Sequence, residues 1–242
     1  MKRIAMVLVA AAAAVLSGCS LLPIVRGSGI PASASFDVGS FTRIAATQAC
    51  VVTLVPDAVP SLEVTVDDNL LPYLDVRNNG SASVLVGLKQ GYAYAGTTFR
   101  AEVHVPVLAA LDLSGASRAT VRAGFASALP LSVTLSGASE VSFQAVACGD
   151  LTADISGASS LTAAGTAARE TIRLSGASQA HLQDLPAAAA RLDLSGASEC
   201  WVNIGSGPLV LAASGASTVH YRGAPALTIV DLSGLSRVVR EY

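Results

Sequence analysis

Leu113-Ser114-Gly115-Ala116-Ser117 decides the fold, because it returns. Near-copies stand at Leu135–Ser139, Ile155–Ser159, Leu174–Ser178, Leu194–Ser198, Ala213–Ser217 and Leu232–Ser236. Their first residues are separated by 22, 20, 19, 20, 19 and 19 positions. A fixed period near 20 marks a stacked repeat, in which each unit buries its apolar side against the next.

Around that corner the columns alternate. With the leading apolar residue as position zero, the residues two before it are Leu111, Val133, Ala153, Ile172, Leu192, Leu211 and Val230. Between the two columns lie Asp112, Thr134, Asp154, Arg173, Asp193, Ala212 and Asp231. Such period-two alternation is a strand with one buried face. Beyond the corner it resumes. Position six reads Ala119, Val141, Leu161, Ala180, Cys200, Val219 and Val238, and position seven reads Thr120, Ser142, Thr162, His181, Trp201, His220 and Val239. Each unit is therefore strand, corner, strand and a variable return. The returns carry Pro130, Pro186, Pro208 and Pro225, which suits surface loops. Units this short leave no room for a crossover helix of a dozen residues. The pattern predicts an all-β chain folded as a right-handed parallel β-helix, a solenoid of about 20-residue coils. Six steps of ~4.8 Å give a rod of ~29 Å.

Gly115, Gly137, Gly157, Gly176, Gly196, Gly215 and Gly234 occupy the second corner position of every copy. Glycine serves where the chain takes positive φ or where backbones approach closely, so these are structural corner residues. The flanking serines form two hydroxyl columns able to bond each other or the corner backbone. The last copy has Leu235 in place of Ala and is followed by Arg237, Arg240 and Glu241, which fits a terminal coil with no neighbour below it.

The chain opens on Met1-Lys2-Arg3 and an apolar run from Ile4 to Val15, too short to span a bilayer. This has the form of a secretory signal peptide. Leu16-Ser17-Gly18-Cys19 closes it and resembles the lipobox of bacterial lipoproteins. The resemblance implies a signal peptide over 1–18, cleavage before Cys19, lipidation of Cys19 and a membrane attachment through that lipid. Ser20, not Asp, follows the cysteine, so outer-membrane sorting is expected where the envelope has two membranes. The mature chain would have 242 − 18 = 224 residues, with 15 − 2 = 13 basic against 17 acidic side chains, a net −4. Lys89 would be its only lysine, and no basic patch is visible, which argues against a nucleic-acid partner. Residues 19–35 contain Gly, Pro and Ser without periodicity and read as a tether. Residues 36–242 read as a single β-helical domain.

Between Phe36 and Pro106 the expected strands are Phe41–Ala46, Cys50–Val55, Leu62–Val66, Tyr73–Val76, Val84–Leu88 and Phe99–Val105, with a turn at Asn78-Asn79-Gly80 and a helical turn from Asp67 to Leu71. This half is expected to begin the stack and cap it, since an open coil end is an adhesive edge. These early strands, the Asp68-Asn69-Leu70-Leu71-Pro72 segment and the later Ser-Gly-Ala-Ser coils resemble the bacterial family of auto-transporter adhesin, head GIN domains. The resemblance covers roughly Phe36 to Val238 and implies an envelope-associated β-helical domain. It carries over no catalytic residue.

The residues that would carry chemistry are dispersed. His181 and His220 share a column but lie two coils, ~9.6 Å, apart, too far for one zinc ion. Asp112, Asp154, Asp193 and Asp231 share a column interrupted by Thr134, Arg173 and Ala212, which reads as a solvated charge ladder and not a calcium site. Cys148 and Cys200 fall three coils apart, beyond disulfide reach. The serines are periodic, whereas a nucleophile would be singular. The sequence thus predicts no enzyme, no metal and no cofactor, but a non-catalytic cell-envelope lipoprotein that is adhesive, ligand-binding or structural. The alternative is a β-helical polysaccharide-active enzyme, a lyase or hydrolase, which should show clustered Asp, Arg and Lys in a groove. The candidate binding patch is His181, Trp201 and His220 with Gln183, Asn203 and Arg222 beside them, a set able to stack on a glycan or grip a protein.

Overall fold

The computed structural model describes residues 22–80 and 82–242. The signal segment and Cys19 lie outside them. The chain forms a parallel β-solenoid whose corners fall where the repeats predict.

Successive coils pair in register and in parallel. On the first face the strand Ala110–Leu113 pairs with Leu131–Leu135, and the stack continues to Pro208–Ala213 and Ala226–Leu232. On the second face Arg118–Val121 begins a stack that ends with Glu199–Ile204, Thr218–Gly223 and Arg237–Arg240. The returns differ from expectation. Glu140–Ile155, Ser160–Leu174 and Gln179–Leu194 are each continuous strands, so the returns are not loops. Val146 and Ala147 pair with Phe125–Ala126 on one side, and Val146, Ala147 and Cys148 pair with Gly165–Ala167 on the other, making a third face. Parallel neighbours on both sides satisfy the return's backbone, which a solvated loop would leave to water. Pro186 lies within a strand with its side exposed.

Two further levels precede the seven. Arg43–Ala46 pairs with Ala110–Leu113, and Val51–Pro56 with Arg118–Val121. Between them Thr47-Gln48-Ala49-Cys50 makes the same corner without its glycine, and both Gln48 and Ala49 take φ near +60°. Outside that level sit Ser83–Leu88 and Phe99–Val105. The chain therefore steps back over its own first coil before the regular repeat begins. Antiparallel strands close this end: Leu74–Asn78 covers Ser83–Leu88, Ser61–Asp67 covers Phe99–Val105, and Pro31–Phe36 covers Ser61–Asp67. Ile24–Arg26 pairs with Ala93–Ala95. The described part of the expected tether, residues 22–35, is thus largely built into the fold. Short Ala and Ser side chains hide its alternation, and its partner residues lie 26 to 36 positions away in sequence.

The inward columns fuse into one apolar core running from Val38 to Val219. One register detail departs from the column reading. The last first-face strand shifts between Ile229 and Asp231, so Ile229, not Val230, stands opposite Leu211.

The corner explains the motif. The hydroxyls of Ser117, Ser139, Ser178, Ser198 and Ser217 donate to the carbonyl of the first serine of their own corner at 2.7–2.9 Å. That satisfies a buried hydroxyl, since these serines are at most 1% exposed. Ala177 N–H donates to the Gly157 carbonyl at 2.8 Å, and Ala197 N–H to the Gly176 carbonyl at 2.7 Å. Gly176 has φ +79°, and a Cβ there would lie 2.5 Å from the Gly157 carbonyl oxygen. Both the left-handed φ and the neighbour below exclude a side chain.

Gly176→Val is therefore expected to lower stability by on the order of 1–3 kcal/mol. Gly205→Ala, where nothing lies within 4 Å of the added carbon, should change it by less than about 0.5 kcal/mol. Thermal unfolding of the two variants checks this, and equal midpoints would break the corner account.

Candidate binding face

In-register coils place like positions one above another at ~4.8 Å, which is ring-stacking distance. Position seven of the second face uses it. His181, Trp201 and His220 pair residue for residue across three coils. The His181 and Trp201 ring centroids are 4.3 Å apart at 15°, and those of Trp201 and His220 are 4.9 Å apart at 9°. Glu241 Oε1 lies 2.7 Å from His220 Nδ1 and fixes the lower ring.

This geometry changes how the patch can act. Both faces of Trp201 are covered by imidazoles, so no sugar ring can stack flat on it. What the ladder offers outward is three ring edges, with the indole and imidazole N–H groups among them. The column beside it is polar. Asn203 pairs with Arg222 in the ladder, and Asn203 Nδ2 donates to the Gln183 carbonyl at 3.3 Å. Gln183 and Asn203 are half-buried, whereas Arg222 is exposed. The six predicted patch residues thus share one stretch of the second face.

The first face bears charges that meet only in pairs. Asp154 and Arg173 are 3.2 Å apart, and Arg169 reaches Asp150 at 3.2 Å from the third face. These pairs are largely exposed, and such pairs contribute about 0–1 kcal/mol each. Among the described residues no three His, Cys, Asp or Glu come close enough to share a metal ion. Cys50, Cys148 and Cys200 are all free. At the capped end Tyr73, Tyr92 and Tyr94 form an edge-to-face cluster with centroids 5.0–6.3 Å apart. No periodic signal announces it, because its members stand on the 3-10 helix Asp68–Tyr73, a loop and the strand Ala93–Ala95.

A family model described as "Putative auto-transporter adhesin, head GIN domain" matches residues 40–225. The chain belongs to this family. Solved structures share the fold of this GIN domain at low identity. One is described as a putative adhesin from Bacteroides fragilis, 16% identical, with a TM-score of 0.80 over 90% of this chain and 100% of that one. Another is described as a putative lipid binding protein from Parabacteroides distasonis, 17% identical, with a TM-score of 0.69 over 90% of this chain and 100% of that one. A putative adhesin from Parabacteroides merdae, 17% identical, gives 0.65 over 91% and 100%. No curated protein matches the chain.

Inside the GIN domain one polar side chain breaks the apolar columns. Glu170 stands between Leu151 and Ala190, with Leu131 and Leu209 further along the same inward column. It is fully buried, and neither carboxylate oxygen has a hydrogen-bond partner among the described residues. Its ladder neighbour Ala190 is small and leaves room that a leucine would fill. Burial raises its pKa from the ordinary 4.5 to about 8. The same burial raises the nearby Cys200 and Cys148 thiols, and the Glu170 charge raises them further.

Between pH 4.5 and about 8 the folded chain holds a proton that the unfolded chain has released. Stability is therefore fully present below 4.5, falls as pH rises through that window, and levels off above it. Glu170→Leu should remove the slope and add on the order of 2–4 kcal/mol at pH 8.5. Urea unfolding at pH 5 and pH 8.5 measures both. An unchanged slope in the variant would mean that Glu170 is hydrated or paired.

Proposed function

We propose that this GIN domain is a non-catalytic binding domain of the cell envelope, held to the membrane by lipid on Cys19. Its second face would engage an envelope glycan or protein. The observation that carries the reading is the His181–Trp201–His220 ladder with Gln183, Asn203 and Arg222 alongside. It presents fixed donors on a rigid sheet, so little side-chain freedom is lost when a partner docks. A membership among adhesin-like proteins supports the same reading. The lipobox-like Leu16 to Cys19 supports the anchor and, with Ser20, an outer-membrane address where two membranes exist.

Two measurements test it. Metabolic labelling with a fatty-acid analogue should mark the wild-type chain, and Cys19→Ser should lose the label; label that survives the substitution ends the anchor proposal. Retention on immobilised envelope material, sacculi and surface polysaccharide separately, should fall at least tenfold for Arg222→Ala and for Trp201→Ala. Arg222→Ala leaves the ring stack in place, so it separates loss of contact from loss of fold. Equal retention of wild type and both variants, with matched unfolding curves, would remove this face from consideration.

A further inference from the structure

The two ends of the solenoid are finished differently. The N-terminal end is closed by antiparallel strands. At the other end the last described coil continues the core columns but leaves them uncovered. Leu227, Ile229 and Leu232 stand opposite Leu209, Leu211 and Ala213, which are at most 1% exposed. Yet they are themselves 38%, 45% and 43% exposed. Leu235, at the corner, is 74% exposed. Arg240 does not cover them: its guanidinium reaches back to the Gly223 carbonyl at 2.9 Å and lies over the Tyr242 ring. Among the described residues the strands Ala226–Leu232 and Arg237–Arg240 have ladder partners on one side only.

We infer that this coil is an interaction surface for a second copy of the chain, joined tail to tail about a two-fold axis through the Ser233–Ser236 corner. Two identical edges can meet with their inner faces together only when the strands run antiparallel. Antiparallel closure is what the same two faces already accept at the other end. With the corner on the axis, Ala226–Leu232 of one copy lies along Arg237–Arg240 of the other. The charges agree. Asp231 is the last outward residue before the corner and Arg237 the first after it, so the symmetry sets Asp231 beside Arg237 of the second copy, twice. The coil's Asp231, Arg237, Arg240 and Glu241 sum to zero, so two copies meet without net repulsion. The core columns then run through from copy to copy, and Leu227, Ile229 and Leu232 lose their water. The end of one coil is small against the ~800 Å² per partner of a standard interface, so association in the micromolar range is expected, favoured where chains are concentrated on one surface.

The inference does not depend on the Trp201 face, and disulfide cross-linking in intact cells tests it with the full chain. Leu235→Cys places a thiol next to the axis; Ala158→Cys, on an exposed corner in the middle of the rod, is the control. Mild oxidation should give a band at twice the chain mass from Leu235→Cys at least tenfold stronger than from Ala158→Cys. Adding Ile229→Asp should abolish it. Equal bands from the two cysteine variants overturn the inference, and that comparison stands even if Ile229→Asp loosens the last coil. A different occupant has its own signature: Cys19→Ser protein that co-sediments with phosphatidylethanolamine and phosphatidylglycerol vesicles, loses this with Ile229→Asp, and gives no Leu235→Cys dimer. That result would assign the end to lipid and overturn the second copy.

Discussion

The structure depends on one close approach, the stacking of corner backbone on corner backbone. Every corner glycine turns the chain with positive φ, and from Gly137 to Gly215 each offers its carbonyl to an amide of the next coil. From Gly157 onward a Cβ would lie 2.3–2.5 Å from the glycine carbonyl oxygen of the neighbouring coil, so none fits between those layers. That contact locks the register, because a slip by one residue would bring a side chain where only hydrogen is tolerated and would turn every apolar column outward. Variable returns are tolerated because the lock lies at the corner: steps of 19, 20 and 22 all restore the same alignment.

What could be read in the sequence follows from the same lock. Columns two before the corner, at the corner and six after it were legible because registry makes them homogeneous. The returns were not, since Ala145, Gly149, Ala164 and Gly165 carry too little side chain to show a period. The strands at Arg43–Ala46 and Val51–Pro56 were legible, but the corner between them did not read as a copy of the repeat, because Gln48 and Ala49 supply the left-handed turn in place of glycine. Residues 31–36 escaped because their partner is remote and antiparallel, and a local pattern of Ala and Ser does not announce a strand. Glu170 was in principle visible. It shares the parity of Ile172 and Leu174, and its column holds aliphatic residues in the neighbouring coils. The ring stack is the instructive partial case. Sequence put three rings in one column, but only the 4.3 and 4.9 Å spacings show that the rings spend their faces on each other.

A buried, unpartnered carboxyl sits uneasily in an apolar core. The corner serines show the contrast: they are equally buried, and most donate to a carbonyl of their own turn. Glu170 instead avoids the cost of a buried charge by holding its proton at neutral pH. The small Ala190 beside it in the ladder makes this bearable, because a methyl group does not crowd the carboxyl.

A solenoid has no single pocket; it has faces, and every face is a set of columns. Function then has to arise where a column changes character. Along position seven the residues run Thr120, Ser142 and Thr162 before the rings begin at His181. The switch from hydroxyls to stacked rings happens over one coil step, and Arg222 and Glu241 frame it at the far end. Because the backbone beneath is common to all coils, the change adds chemistry without altering shape. A partner that recognises this face must do so by reaching ring edges and the amide and guanidinium groups beside them, at a spacing set by the strands themselves. That spacing is the property an extended glycan or an added strand can match and a compact small molecule cannot.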